Sequence, residues 1–257
     1  MNFVIDFSSK NVRQAKKALS SIVHNTPLDS SKTFSKLTGA NVYLKLENLQ
    51  KTGSFKVRGA YWKMLNVNNS TLKHVVAASA GNHAQGTAFA ASQLKIPCTI
   101  VMPENASTVK VAATSGYGAS ILLSGSNYDE SYSKAVSITK KSSATMIHPF
   151  DDPLVIAGQG TIGLEILNSL KNVDVIIAPV GGGGLISGIG QGYFQATPLQ
   201  LCLMIGQFAN GGYEIIPRII AIIIAISTIH SKTCFYHVSY HSFTFLLCFR
   251  CFFGKFF

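Results

Sequence analysis

Acidic side chains are scarce in this chain: 11 Asp and Glu stand against 22 Lys and Arg, for a formal net charge of +11. Charge of either sign is sparse too, at 13% of residues against 47% apolar, which excludes a disordered chain. The positive excess forms no basic stripe of the kind nucleic acid requires, because Lys10, Lys16, Lys32, Lys45, Lys63, Lys95 and Lys134 are scattered among turns and helix faces. Most of it reads as solvated surface, with a basic pocket for an anionic cofactor as a second, compatible cause. Disulfide and zinc frameworks are missing as well. The five cysteines, Cys98, Cys202, Cys234, Cys248 and Cys251, follow no recurring spacing, so a reduced, cytoplasmic chain without a metal site is expected. Residues 1–10 lack the charged region and apolar run of a secretory leader, which argues against export.

Between about Val42 and Val180, short β-branched runs alternate with helical stretches, the pattern of βαβ units around a mostly parallel sheet. The pattern predicts strands over 42–46, 75–78, 99–102, 120–123 and 175–178, and helices over 84–94, 128–141 and 161–170. After Gly190 the charged residues thin to Glu214, Arg218, Lys232, Arg250 and Lys255. The apolar run 219–226 is shorter than the roughly 20 residues that span a bilayer, and 243–257 is broken by Arg250, Gly254 and Lys255. A degenerate or out-of-frame tail is the expectation there, with a transmembrane helix as the alternative.

Three stretches carry chemistry. In Gly53-Ser54-Phe55-Lys56-Val57-Arg58-Gly59-Ala60, a lysine lies among small and aromatic residues at a loop-to-helix junction. Screened from water, its amine loses charge more easily and can attack an aldehyde; a solvated surface lysine is the alternative. Ser79-Ala80-Gly81-Asn82-His83-Ala84-Gln85-Gly86 follows a predicted strand and opens a helix of small residues. Free N–H groups at such a start suit a carboxylate, unless Ser79 or Asn82 merely caps the first turn. Gly181-Gly182-Gly183-Gly184-Leu185 follows another predicted strand. Glycines there let the backbone approach a phosphate and aim N–H groups at it. A flexible linker is the bland alternative, and neither the dinucleotide fingerprint nor the P-loop fits this run.

A lysine for an aldehyde, a loop for a carboxylate and a cradle for a phosphate are what pyridoxal phosphate (PLP) and an amino acid need together. In these stretches the chain resembles the fold-type II PLP enzymes, and within them the threonine dehydratase and serine racemase group. The resemblance runs from about His24 to Gly188 and includes TPL from Thr26, KTGSFKVRGA from Lys51, SAGNHAQG from Ser79, DDPLVIAGQGTIGLEI from Asp151 and PVGGGGL from Pro179.

The resemblance implies an α/β, tryptophan synthase beta-like fold of two α/β domains with parallel sheets. The larger, incomplete domain would comprise 1–44 and 149–190, the smaller one 45–148, with an atypical apolar tail over 191–257. It implies that Lys56 is the Schiff-base lysine and takes the α-proton. Phe55, Lys56, Asn82, Gly181, Gly182, Gly183, Gly184 and Leu185 would hold the cofactor, Asn82 at its ring hydroxyl oxygen and the glycine run at its phosphate. Ser79, Ala80, Gly81, Asn82 and His83 would bind the substrate carboxylate. The implied activity is an ammonia-lyase that converts L-threonine or L-serine, a small hydroxy amino acid, to a 2-oxo acid and ammonia. A homo-oligomer is the implied assembly.

Racemases of the group resemble Ser-Ser-Gly-Asn-His at the carboxylate loop; Ala80 has no transferable proton, which favours elimination. Past about Ile189 three features of the group are not visible: an acidic cation site, a Glu-containing segment and a glycine-rich segment meeting the pyridine nitrogen. A truncated enzyme of impaired activity is therefore expected, with a non-catalytic PLP-binding remnant as one alternative. The stretch 190–201, with Ala209-Asn210-Gly211-Gly212, resembles penicillin-binding transpeptidases instead, which leaves a membrane-associated cell-wall protein as another.

Overall fold

The computed structural model describes residues 9–67, 72–193, 219–224, 234–240 and 243–249, with side chains described through Gly190. The chain opens with α1 (Ser9–Leu19), β1 (Leu28–Ser30), α2 (Lys32–Thr38), β2 (Asn41–Leu46) and α3 (Lys56–Asn66). There follow β3 (Val75–Ala78), α4 (Asn82–Gln93), β4 (Cys98–Met102), α5 (Thr108–Ser115), β5 (Ser120–Leu123), α6 (Tyr128–Ser142) and β6 (Thr145–Met146). The later elements are α7 (Pro153–Ser169), β7 (Val175–Val180), α8 (Gly184–Tyr193), β8 (Ile219–Ile224), β9 (Cys234–Tyr240) and β10 (Phe243–Phe249).

The strands form two sheets. The smaller has the order β5-β4-β3-β6 and is parallel throughout, each strand returning to the next through one helix. All four residues of β3 are buried, as a parallel strand flanked on both sides requires. The larger sheet has the order β1-β2-β8-β7-β10-β9. Its inner strands β2, β8, β7 and β10 run parallel, while β1 and β9 close its edges antiparallel.

The run 219–226, expected to be a degenerate tail or a membrane segment, contains β8, hydrogen-bonded between β2 and β7. A strand buried in a parallel sheet reads as continuous apolar sequence, so composition does not separate it from a membrane segment. The larger sheet is thus six strands wide, and the rest of the expected tail lies outside the residues whose side chains are described. Among the described residues no helix is long and apolar enough to cross a membrane.

Helix α7 is the hub of the packing. Asp152 caps it by accepting from Leu154 N and Val155 N, and Pro153 occupies its first turn, a pairing that pre-organises a helix start. It begins well before the predicted 161, because Gly158, Gly160 and Gly163 bear no side chains to display a helical period. Those glycines let three helices touch backbone to backbone. A Cβ on Gly59 of α3 would lie 2.6 Å from Val155 O, and one on Gly158 would lie 2.6 Å from Arg58 O. On the other side, Gly160 of α7 meets Gly188 of α8 with no room for a methyl group. The start of α3 and the start of α8 are therefore fixed to one helix.

Gly188→Ala is expected to lower the unfolding free energy by about 1–3 kcal/mol, as overpacking does. Gly190→Ala, whose added methyl would meet nothing within 4 Å, should be neutral or stabilise by up to about 1 kcal/mol. Urea melts of the two variants check this, and equal midpoints would contradict the close crossing.

Candidate active site

Lys56 occupies the first position of α3, just after a turn in which Gly53 holds a φ of +69°. Its Nζ donates to Pro149 O at 2.7 Å and lies 5.3 Å from the centre of the Phe55 ring. No carboxylate among the described residues pairs with it. Burial lowers its pKa from 10.5 to about 8. At pH 7 about one molecule in ten then carries the neutral amine, against roughly three in ten thousand for an ordinary lysine. A screened amine of this kind is a nucleophile toward carbonyl carbon.

The predicted carboxylate loop lies where β3 gives way to α4. Gly81 is the N-cap, and no side-chain hydrogen bond closes the first turn. Ser79 Oγ instead accepts from Gly81 N at 3.2 Å. The cap is thus Gly81, which has no side chain to place over the positive end of the 12-residue helix. Ser79, Ala80, Gly81 and Asn82 are half-buried, while the His83 ring turns inward and donates from Nε2 to Ile147 O at 2.8 Å. Burial, aided by the charge of Lys56, lowers the His83 pKa to about 3, so the ring is neutral. Helix α4 leans directly on α3: a Cβ on Gly86 would lie 2.8 Å from Val57 N and 2.9 Å from the Lys56 carbonyl carbon.

The glycine run joins β7 to α8. Its four glycines have different surroundings. Added Cβ atoms on Gly181 and Gly183 would meet nothing within 4 Å, and Gly183 has a φ of +83°, so this side of the run is open. At Gly182 and Gly184 the space a Cβ would take is filled by Phe150, by its ring at the exposed Gly182 and by its backbone at the buried Gly184. Leu185 is buried in the same apolar cluster as Phe55. The three predicted stretches thus converge: Pro149 meets Lys56, Ile147 meets His83, and Phe150 meets the glycine run. The connecting segment, 147–151, was not among the predicted site residues.

A buried ion network behind Lys56 was not foreseen either. Arg58, with no side-chain exposure, donates from Nε and Nη2 to both oxygens of Glu47, at 2.9 and 2.7 Å. Its Nη1 and Nη2 reach the two oxygens of Glu165 at 2.8 and 3.0 Å, and Nη1 also reaches Thr161 Oγ1 at 3.1 Å. Lys45 Nζ donates to Glu165 at 2.7 Å and to Thr26 O at 2.6 Å, and Lys16 reaches Glu165 from α1. Burial opposes the charge on Glu165, but Arg58, then Lys45 and Lys16, override it and hold the carboxyl at about 2. The available signal was acidic residues, Glu47 and Glu165, set in apolar stretches of an acid-poor chain. No group of three or more metal-ligating side chains forms among the described residues.

A family model described as pyridoxal-phosphate dependent enzyme matches residues 19–220. The match takes in residues 190–201 and 209–212, which resembled a transpeptidase, and that second resemblance finds no support among the similar proteins. L-threonine ammonia-lyase of Thermotoga maritima is 52% identical over 181 residues, covering 70% of this chain and 45% of that protein. Among solved structures, the processed form of threonine deaminase isoform 2 from Solanum lycopersicum superposes with a TM-score of 0.70 at 36% identity, over 84% of this chain and 55% of that one. Serine racemase from Dictyostelium discoideum gives 0.69 at 35%, over 84% and 65%. The chain spans about half the length of the curated relatives it matches.

The ion network sets an acid limit. Glu165 has its pKa lowered from 4.5 to about 2 on folding, so its contribution is full above pH 4.5 and lost as pH falls toward 2. His83, lowered from 6.5 to about 3, adds a loss that begins below pH 6.5. Glu165→Gln is expected to cost about 3–5 kcal/mol at pH 7, since Arg58 and Lys45 lose a buried counter-charge, and to flatten stability between pH 4.5 and 2. Chemical denaturation across that range checks both; an unchanged pH dependence in the variant would contradict the role of Glu165.

Proposed function

Because the chain belongs to the family of pyridoxal-phosphate dependent enzymes, we propose that it carries the cofactor-holding part of an ammonia-lyase acting on L-threonine or L-serine. The observation that carries this reading is the convergence of a buried, easily deprotonated lysine, a glycine-capped helix start and an open glycine run on one crossing segment. The residues present suit the cofactor. Open space beside Gly181 and Gly183 admits a phosphate to the backbone, the start of α8 favours its negative charge, and among the described residues Lys56 has no carboxylate to leave before it meets an aldehyde.

In this reading Gly181 to Gly184 and Leu185 hold the phosphate through N–H groups, and Asn82 holds the ring oxygen. Phe55 packs behind. When bound, pyridoxal phosphate supplies an electron sink for the negative charge left at Cα. Lys56 Nζ holds the cofactor covalently at rest and takes up the α-proton in turnover. Ser79 to Asn82 bind the substrate carboxylate at the head of α4, and His83 braces that loop from the core. Loss of water across Cα and Cβ, followed by addition of water and release of ammonia, leaves the 2-oxo acid. Ala80 offers no proton from the opposite face, which supports elimination over racemisation. We assign residues 1–44 and 149–190 to the larger domain and 45–148 to the smaller, and infer a cytoplasmic homo-oligomer.

Incubation with pyridoxal phosphate and L-threonine is expected to yield 2-oxobutanoate and ammonia in equal amounts, with none from Lys56→Ala. L-serine should give pyruvate without D-serine. Cofactor uptake with no 2-oxo acid would sink the lyase in favour of a chain that only binds, and D-serine forming faster than pyruvate would overturn the elimination.

A further inference from the structure

The crossing segment Ile147-His148-Pro149-Phe150-Asp151 touches every part of the site, yet regular structure does not hold it. β6 ends at Met146, α7 begins at Pro153, and Ile147 N makes the last ladder bond, to Val76 O at 2.9 Å. The shape comes from His148. Its Nδ1 accepts from Asp151 N at 2.7 Å and from Phe150 N at 3.4 Å. Its ring stands edge-on to Phe150, with centres 4.8 Å apart, and to Tyr132 of α6 at 5.8 Å. A side-chain acceptor reaching N–H groups two and three residues ahead is what Asp and Asn do in Asx turns. Nδ1 can accept only while unprotonated, which places the ring proton on Nε2.

We propose that His148 is a positioning residue for the site: its Nδ1 fixes the turn that holds the Pro149 carbonyl on Lys56 Nζ and the Phe150 ring on Gly182. The proposal rests on the reading of Lys56 as the cofactor lysine, and it adds a device that acts before any cofactor arrives. The turn tethers the amine at one end and backs the closed side of the glycine run at the other, leaving the side of Gly181 and Gly183 open. Moving the turn would shift lysine and cradle together. Two substitutions separate acceptor from ring. His148→Asn can place Oδ1 near the position of Nδ1 and keep the turn, whereas His148→Phe keeps an aromatic ring for Tyr132 and Phe150 but has no acceptor.

The test uses the full chain without cofactor and has two readouts: competitive acetylation of Lys56 by acetic anhydride, mapped by mass spectrometry, and amide exchange over 147–152. In His148→Phe, exchange there should quicken about tenfold, the scale of one lost hydrogen bond, and Lys56 acetylation should change severalfold. His148→Asn should stay within about twofold of the wild type on both. Pyridoxal phosphate titration should then rank the affinities as wild type, Asn, Phe, with Phe weaker by about tenfold. Lys56 acetylation identical in all three proteins, or Asn as damaged as Phe, would overturn the proposal. Should His148→Phe fail to fold, His148→Ala makes the same comparison against Asn. If the wild type takes up no cofactor, the functional reading fails, while acetylation and exchange still decide the role of His148.

Discussion

The fold around Lys56 depends on one constraint: a guanidinium buried without access to water must keep its counter-charges. Arg58 lies on the first turn of α3, locked by paired hydrogen bonds to Glu47 after β2 and to Glu165 on α7. An isolated charge would cost far more in the interior than the pair contributes, so displacing any one of these elements exposes the rest to a large penalty. The network therefore specifies position more than it adds stability. Through it the start of α3, and with it Lys56, has one place relative to the larger sheet.

From that fixed point the site follows by contact. Helix α7 carries Glu165 toward Arg58 on one side and meets α8 at Gly188 on the other, which places the glycine run against the same frame as the lysine. Helix α4 docks on the start of α3 at Gly86, bringing its glycine-capped end toward the lysine. Burial, with no partnering carboxylate among the described residues, then lowers the Lys56 pKa. Desolvation is the cause, so the chemistry of the amine is a property of packing. In the proposed reading, the open side of the glycine run and the head of α4 would offer N–H groups to two different anions, as an amino acid and a phosphorylated cofactor require.

Much of this frame was legible because it is local. The strands at 75–78 and 120–123 fall where β-branched and small apolar residues predict them, and the helix read over 84–94 is α4. Lys56 and the glycine run stood out for the same reason: each motif occupies a few adjacent residues. What stayed hidden is non-local. Arg58 and Glu165 are 107 residues apart, and neither signals the other in sequence. His148 reads as an ordinary residue before Pro149, since the role of its Nδ1 belongs to a turn that forms only between β6 and α7. The glycine run carries a lesson of its own: the sequence suggested one reason for four glycines, whereas Gly182 and Gly184 are also needed to seat Phe150. Within the run 219–226, β8 was not foreseen because an inner strand of a parallel sheet and a short membrane segment share a composition.

The central claim is that Lys56 is the amine that this packing prepares for an aldehyde. The most direct measurement is to add pyridoxal phosphate to the purified chain, reduce with borohydride, digest and locate the phosphopyridoxyl group by mass spectrometry. The account predicts a single label on the peptide that contains Lys56, and none there in Lys56→Ala. A label spread over surface lysines, a label confined to Lys45, or no label in a folded chain would contradict it.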